Sequence, residues 1–278
     1  MSSATQEAQG QGSLLQVDRR SNLSVKEFRQ EYLLPRRPVV ITDVIDGWPA
    51  RQNWTLERFR RDYGNDLVTL YRYDQSREFT PGDVSRVRLS EFIDAVLTKD
   101  WVSYPYYFRD NWRILVEHPE LKEDYAELGY FFDWFQMLPR AMRMPYPRLF
   151  IGPKGAVTPL HIDIWRTHAW LSQIVGRKRW LMFSPEQEPY LYDCKVRVDA
   201  PDFDRFPNYR AAIPLEATIG PGDTIFVPSG WAHWVISLDA AISLSGNYMS
   251  WGCFASCLTA IGGDVRTRLG RRLSLART

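Results

Sequence analysis

At 278 residues, with 45% hydrophobic and 24% charged side chains, the chain has material for one sizeable core and the make-up of an ordinary globular protein. Its 35 Lys and Arg against 33 acidic residues leave a net charge of +2, which points to neither nucleic acid nor an anionic membrane as partner. No run reaches the roughly 18 apolar residues of a membrane span, the start MSSATQEAQGQGS lacks a basic, apolar leader, and the expected compartment is the cytoplasm.

Residues 1–22 are polar, Gly- and Gln-rich and aperiodic, and are expected to be a disordered tail. Order is expected from 23 to 250 as one domain. Ser24 and Glu27 form a capping box for a helix that must end before Pro35. Arg37 to Thr42 reads as a buried strand, Thr55 opens a second helix, Asp66 to Tyr71 is a second strand, and Ser90 is the expected cap of a helix over 91–97. Aromatic density peaks at WVSYPYYFRD, a strand pattern interrupted by Pro105, and residues 121–144 read as mostly helical. Eight short strands follow, at 147–151, 158–165, 168–175, 177–183, 214–219, 223–228, 232–238 and 241–248, with a Pro-rich insert at 185–212 and a strong turn at Gly220-Pro221-Gly222-Asp223. Residues 251–278 hold a helix candidate, 251–261, and a basic tail. Helices first and many short strands after them imply a mainly β fold with flanking helices, built on a closed or double-sheet jelly-roll barrel.

The chemistry centres on His161-Ile162-Asp163. On a strand the two outer residues share a face, so imidazole and carboxylate can bind one metal ion. His233, in FVPSGWAHWVISL, offers a third ligand, and two His with one carboxylate suit non-haem Fe(II) oxygenases. The His-x-acid pair alone is a weak signal in a chain with four His and 33 acidic residues. His118-Pro119-Glu120 also fits it, but it lies in a charged run broken by proline, where His118 is expected to be a solvated non-ligand. His168 has the wrong parity to share a face with His161. Cys194, Cys253 and Cys257 are too few and odd in number for a disulfide framework, and Cys253 and Cys257, one helical turn apart as soft metal ligands could be, have no CxxC or neighbouring His and read as buried structural thiols.

Together, Thr158-Pro-Leu-His161-Ile-Asp163, Gly176-Arg-Lys178-Arg-Trp180 and Gly220-Pro-Gly-Asp223 running on to Trp231-Ala-His233 resemble the JmjC oxygenases of the cupin superfamily, over about 38–247 and closest to the small JmjC protein hydroxylases. The resemblance implies a double-stranded β-helix core, Fe(II) held by His161, Asp163 and His233, and 2-oxoglutarate and O2 as cosubstrates. It implies that Lys178 binds the far carboxylate, helped by Thr158 and by Tyr107 of YFRD, with Asn247 near the metal. The residues agree for Lys178, which shares a strand face with Trp180 and Met182, where a buried ammonium needs an anionic partner. Thr158 is otherwise an ordinary strand residue, Tyr107 a core aromatic and Asn247 a turn residue. One departure stands out: many relatives carry Asn where this chain has Leu171.

The 11 Trp, 14 Tyr and 14 Phe suggest an aromatic pocket, and Tyr106, Trp165, Trp231 and Trp234 are the expected substrate rim. The leading expectation is hydroxylation of a protein or peptide side chain. N-methyl demethylation, the same chemistry on a small metabolite, and a non-catalytic cupin-like interaction module are the alternatives. Related hydroxylases dimerise through carboxy-terminal helices, which makes a homodimer an expectation here.

Overall fold

The computed structural model describes residues 14–72, 84–100, 102–137, 143 and 147–263. The expected tail is shorter than its sequence suggests. Strands β1 (Leu15–Gln16) and β2 (Asp18–Arg20) fall inside it, set beside Leu215 and Val39 respectively, while residues 1–13 lie outside the described residues. Their polarity hides them. They are held by backbone pairing to sheet edges, by the buried Val17, and by Arg19, which donates to both oxygens of Asp223 at 2.8 and 2.9 Å.

The capping box forms as expected: Ser24 caps α1 (Val25–Phe28), Glu27 returns a bond to Ser24, and a π-helical turn carries the chain to Leu33. After β3 (Val39–Ile41) come the short α2 (Ala50–Asn53), α3 (Leu56–Asp62) capped by Thr55, and β4 (Leu67–Arg72). The hairpin partner β5 (Val84–Arg88) leads directly into α4 (Leu89–Thr98). Ser90 therefore lies inside this helix rather than capping it. The cap position is Arg88, whose backbone N–H donates to Glu91.

Strand β6 (Tyr106–Asn111) starts just past Pro105 and is followed by α5 (Arg113–Glu117). Where residues 121–144 were expected to be mostly helical, the described ones form 3-10 turns at Pro119–Asp124 and Trp134–Met137 with irregular chain between them; 138–142 and 144–146 lie outside the described residues. Its apolar residues are aromatic and unevenly spaced, and they fill gaps instead of forming one helical stripe. Phe131, for example, packs among Phe28, Trp170, Phe226 and Tyr248. His118 is also less solvated than expected, since its Nε2 lies 2.5 Å from Asp66 and its ring packs on Tyr63.

The eight expected strands all form: β7 (Arg148–Gly152), β8 (Val157–His161), β9 (His168–Val175), β10 (Lys178–Phe183), β11 (Leu215–Ile219), β12 (Thr224–Val227), β13 (Ala232–Ser237) and β14 (Ala241–Tyr248). Between β10 and β11, the insert folds into short turns around α6 (Glu188–Leu191). A last helix, α7 (residues 254–263), follows β14; the basic run Arg266 to Arg272 lies outside the described residues. Among the described residues no helix is long and apolar enough to cross a membrane.

The chain steps back and forth between two sheets. One is ordered β1-β11-β10-β13-β8 and the other β2-β3-β12-β9-β14-β7-β6-β4-β5, so β7 to β14 make a double-stranded β-helix of two facing four-stranded halves. Strand alternation divides the apolar residues accordingly. Trp180, Met182, Ile225, Val227 and Val235 pack between the sheets, while Leu149, Ile151, Ile242 and Leu244 meet Phe59 and Phe92 of α3 and α4 on the outer face of the larger one. Each such side chain, fully buried, contributes about 1.5–3 kcal/mol.

Candidate metal and cosubstrate site

His161 is the last residue of β8 and His233 is its direct partner on the antiparallel neighbour β13, which brings the two ring centroids to 4.1 Å. The strand stops there, short of the expected 165. Asp163 lies just beyond it, yet its extended backbone (φ −57°, ψ 152°) continues the alternation. Trp165 and Arg166 then both adopt left-handed φ, 52° and 54°, a conformation that costs a non-glycine residue about 1–2 kcal/mol and here turns the chain away. The carboxylate is left 3.9 Å from His161 Nε2 and 4.0 Å from His233 Nε2. One ligand atom from each of the three residues lies within 4.8 Å of the others.

Tautomer and charge suit a metal. His161 Nδ1 lies 2.8 Å from the Pro159 carbonyl and His233 Nδ1 lies 3.2 Å from that of Trp231. A carbonyl only accepts, so each Nδ1 carries the proton and each Nε2 turns a lone pair inward. Burial, with His233 alongside, pushes the His161 imidazole below its ordinary range, which favours the neutral form. Asp163 Oδ2 is buried with no hydrogen-bond partner. Such an oxygen is costly unless a cation meets it, and the residues present therefore fit a divalent ion. Trp180 stacks on His233 with centroids 5.6 Å apart and fixes that ring.

Deeper in the barrel, Lys178 on β10 faces inward and is buried; its Nζ donates to Tyr107 Oη at 3.0 Å and lies over the Tyr107 and Phe150 rings. Burial lowers the ammonium to about 7. It also raises the Tyr107 hydroxyl, against the pull of Arg109 and of a hydrogen bond with Thr158. The structure thus gathers Tyr107, Thr158 and Lys178 at one point. Room for Tyr107 depends on Gly152, where an added Cβ would sit 2.7 Å from the ring. These groups and the triad line one open cavity of about 1100 Å³.

Asn247 lies in β14 rather than a turn, lines the same cavity and donates to Thr167 Oγ1 at 3.0 Å. Leu171 also lines it. Its cross-strand partner is Ser245, a second lining residue, whose hydroxyl is committed to the Trp170 carbonyl at 2.6 Å. His168 points away as expected, accepting from the Ser229 backbone and stacking on Tyr248.

The expected aromatic rim does not line the cavity. Tyr106 and Trp234 neighbour Tyr107 and His233, so alternation sends them to the opposite faces, Tyr106 against Tyr104 and Trp234 into a core with Leu181 and Phe183. Trp231 is buried in the barrel core and donates to the Arg36 carbonyl, and the left-handed turn directs Trp165 toward Phe135. None of the four lines the cavity. Instead Arg109, Arg148, Phe150 and Trp180 do, residues that counting in twos from Tyr107 and Lys178, or along RLFIG, would have singled out.

A family model described as "Cupin-like domain" matches residues 25–250. The chain belongs to the cupin-like domain family. Relatives of this cupin-like chain include the 2-oxoglutarate and iron-dependent oxygenase JMJD4 of Gallus gallus, 30% identical over 93% of this chain and 65% of that protein. The arginine-specific demethylase JMJ20 of Arabidopsis thaliana is 29% identical, over 82% of this chain and 55% of the relative. The bifunctional arginine demethylase and lysyl-hydroxylase psr-1 of Caenorhabditis elegans is 31% identical over 83% and 60%. The chain thus spans little more than half to two-thirds of these relatives' lengths.

Proposed function

We propose that the protein is an Fe(II)- and 2-oxoglutarate-dependent oxygenase that hydroxylates a protein or peptide side chain. The observation that carries this reading is the buried Oδ2 of Asp163, without a hydrogen-bond partner and 4.0 Å from the Nε2 of His233, whose Nδ1 is engaged by the Trp231 carbonyl. His161, Asp163 and His233 hold the iron. Lys178, Tyr107 and Thr158 hold the far carboxylate of the cosubstrate, whose charge offsets the burial of the ammonium. When bound, iron and 2-oxoglutarate supply O2 activation, with succinate and CO2 as coproducts and one oxygen delivered to a substrate C–H bond.

The chain's own part is placement. The two Nδ1–carbonyl bonds keep both imidazoles aimed, Trp180 holds His233, and the barrel excludes water from the end where Lys178 lies. Names of the relatives that include oxygenase, lysyl-hydroxylase and demethylase support this class of chemistry. A cavity of about 1100 Å³ exceeds what a five-carbon diacid fills, which supports a substrate as large as a peptide segment. The test is succinate release from 2-oxoglutarate by Fe(II)-loaded protein, followed by mass analysis of candidate peptides. A gain of one oxygen is expected, loss of a methylene's mass would assign demethylation instead, and equal decarboxylation by parent and Asp163→Ala would overturn the metal assignment.

A further inference from the structure

The three metal ligands are not supported alike. His161 and His233 each have an outer hydrogen bond, from Nδ1 to a carbonyl, that fixes the ring. Asp163 Oδ2 has no such partner, and the residue lies past the end of β8, outside the ladder. The direction of its carboxylate therefore depends on the turn that follows it.

That turn is held by Arg166. Its backbone N–H donates to the Asp163 carbonyl at 2.9 Å and closes the 3-10 turn Ile164–Arg166. Trp165 and Arg166 both have left-handed φ, a conformation that non-glycine residues keep only where their surroundings enforce it. Here the Arg166 carbonyl accepts from the buried Ser229 hydroxyl at 2.6 Å and from the Cys257 thiol of α7 at 3.9 Å. The guanidinium lies against Gly230, where an added Cβ would be 3.3 Å from Nη2, and it bonds to Glu188 of α6. Ser229 and Gly230 stand just ahead of β13, which carries His233. One residue thus joins the loop bearing Asp163 to the loop before His233, and both to the insert between β10 and β11. The Arg166 and Glu188 side chains are each 38% exposed, where an ion pair adds little to stability. Its effect is on direction, because a guanidinium engaged at its far end holds the backbone from which it springs.

We propose that Arg166, anchored by Glu188, is a positioning residue for Asp163: it sets the carboxylate against the two imidazoles and makes metal binding depend on the insert. The proposal rests on the oxygenase reading only for the presence of a divalent metal on the triad.

The test is Mn(II) binding by the full chain, read by calorimetry and by the paramagnetic resonance line shape of the bound ion, beside the thermal midpoint of metal-free protein. R166Q and E188A should each weaken Mn(II) binding by about 10-fold or more, as loss of a partner behind a metal ligand does, and each should alter the line shape. R166K, which keeps a cation for Glu188, should recover part of the loss. The R166Q/E188A double variant should bind no more weakly than R166Q alone, since the two side chains act as one unit. Should R166Q not fold, E188A carries the test by itself, because it leaves the backbone bonds of the turn in place. A lowered midpoint in metal-free protein with affinity and line shape unchanged would make the pair a structural clip and overturn the proposal, as would losses that add in the double variant. If the variants behave as expected but Fe(II)-loaded parent releases no succinate from 2-oxoglutarate, the oxygenase reading fails and the positioning role stands. If parent and R166Q release succinate equally and bind Mn(II) equally, the positioning role fails and the oxygenase reading stands. A parent that binds no Mn(II) overturns both.

Discussion

His161 and His233 face one another as a register pair on neighbouring antiparallel strands, their ring centroids 4.1 Å apart, and Asp163 closes the triangle from the loop that follows β8. Two ligands are thus set by the ladder and one by a turn containing consecutive left-handed residues. The rigid pair defines where a metal sits; the carboxylate is the ligand whose own burial is uncompensated without it.

That imbalance gives a prediction readable without catalysis. In metal-free protein, Asp163→Asn should raise the thermal midpoint, because an amide is cheaper than a carboxylate to bury unpaired. The same substitution should weaken Mn(II) or Fe(II) retention by about 100-fold or more, as ligand loss exceeds the 10–100-fold typical of outer partners. Calorimetric scans with and without metal check both; a variant destabilised in the metal-free state and unchanged in metal content would contradict the assignment.

Lys178 makes stability depend on pH in a fixed direction. Its ammonium is lowered by burial from 10.5 to about 7, so between those values the unfolded chain holds a proton that the folded one has released. The stability cost is fully present below pH 7 and is relieved as pH rises toward 10.5. Metal- and cosubstrate-free protein should therefore gain stability across this window, and Lys178→Met should lose that gain. Affinity for succinate, a simple dicarboxylate, should fall as pH rises through about 7 in the parent. Denaturation midpoints and succinate titrations at several pH values decide it.

The strands 168–175 and 241–248 were legible to the residue because apolar and β-branched side chains are frequent there, and the triad was legible because its two histidines fall on other short strands, His161 at the end of β8 and His233 on β13, with Asp163 two residues past the first. Tyr107, Thr158 and Lys178 came from family resemblance, and the barrel brings them together. What misled was composition used in place of direction. Tyr106 and Trp234 are rich in contact area but sit one residue from inward-facing partners, and parity turns them out. Residues 15–20 and 119–137 take their form from tertiary partners, such as Val17 in the barrel core and Phe131 among four aromatics, which no local pattern encodes.

Gly152 offers a way to disturb the cosubstrate pocket without touching any group in it. A Cβ there would lie 2.7 Å from one edge atom of Tyr107 and 3.2 Å from Ala156 Cβ, closer than packed atoms tolerate. Gly152→Ala should cost about 1–3 kcal/mol of stability, the usual range for overpacking. Because the ring that must yield carries the hydroxyl bonded to Lys178, the requirement for 2-oxoglutarate should rise more than the turnover number falls. Thermal unfolding and KM measured together check this; a loss confined to turnover would mean that the ring keeps its place.

Asp124 tests the helical layer independently of the site. It is buried and accepts from Asn53 Nδ2 at 2.7 Å, Trp54 Nε1 at 2.8 Å and Arg58 at 2.7 Å, so one carboxylate ties the turn after α5 to α2 and α3. Asp124→Ala strands the indole N–H and leaves the guanidinium without this partner, and should cost about 3 kcal/mol, in the range for breaking a buried charged pair. Asp124→Asn keeps acceptor geometry for one donor and should cost less. Trp54 packs on Phe59 and Tyr125, so its indole contributes to the tryptophan fluorescence that follows the same transition. Equal unfolding midpoints for the parent and both variants, in urea and by that fluorescence, would mean that the three bonds contribute nothing net. The metal triad lies on other elements, so metal binding at temperatures below the transition should be unaffected in both variants.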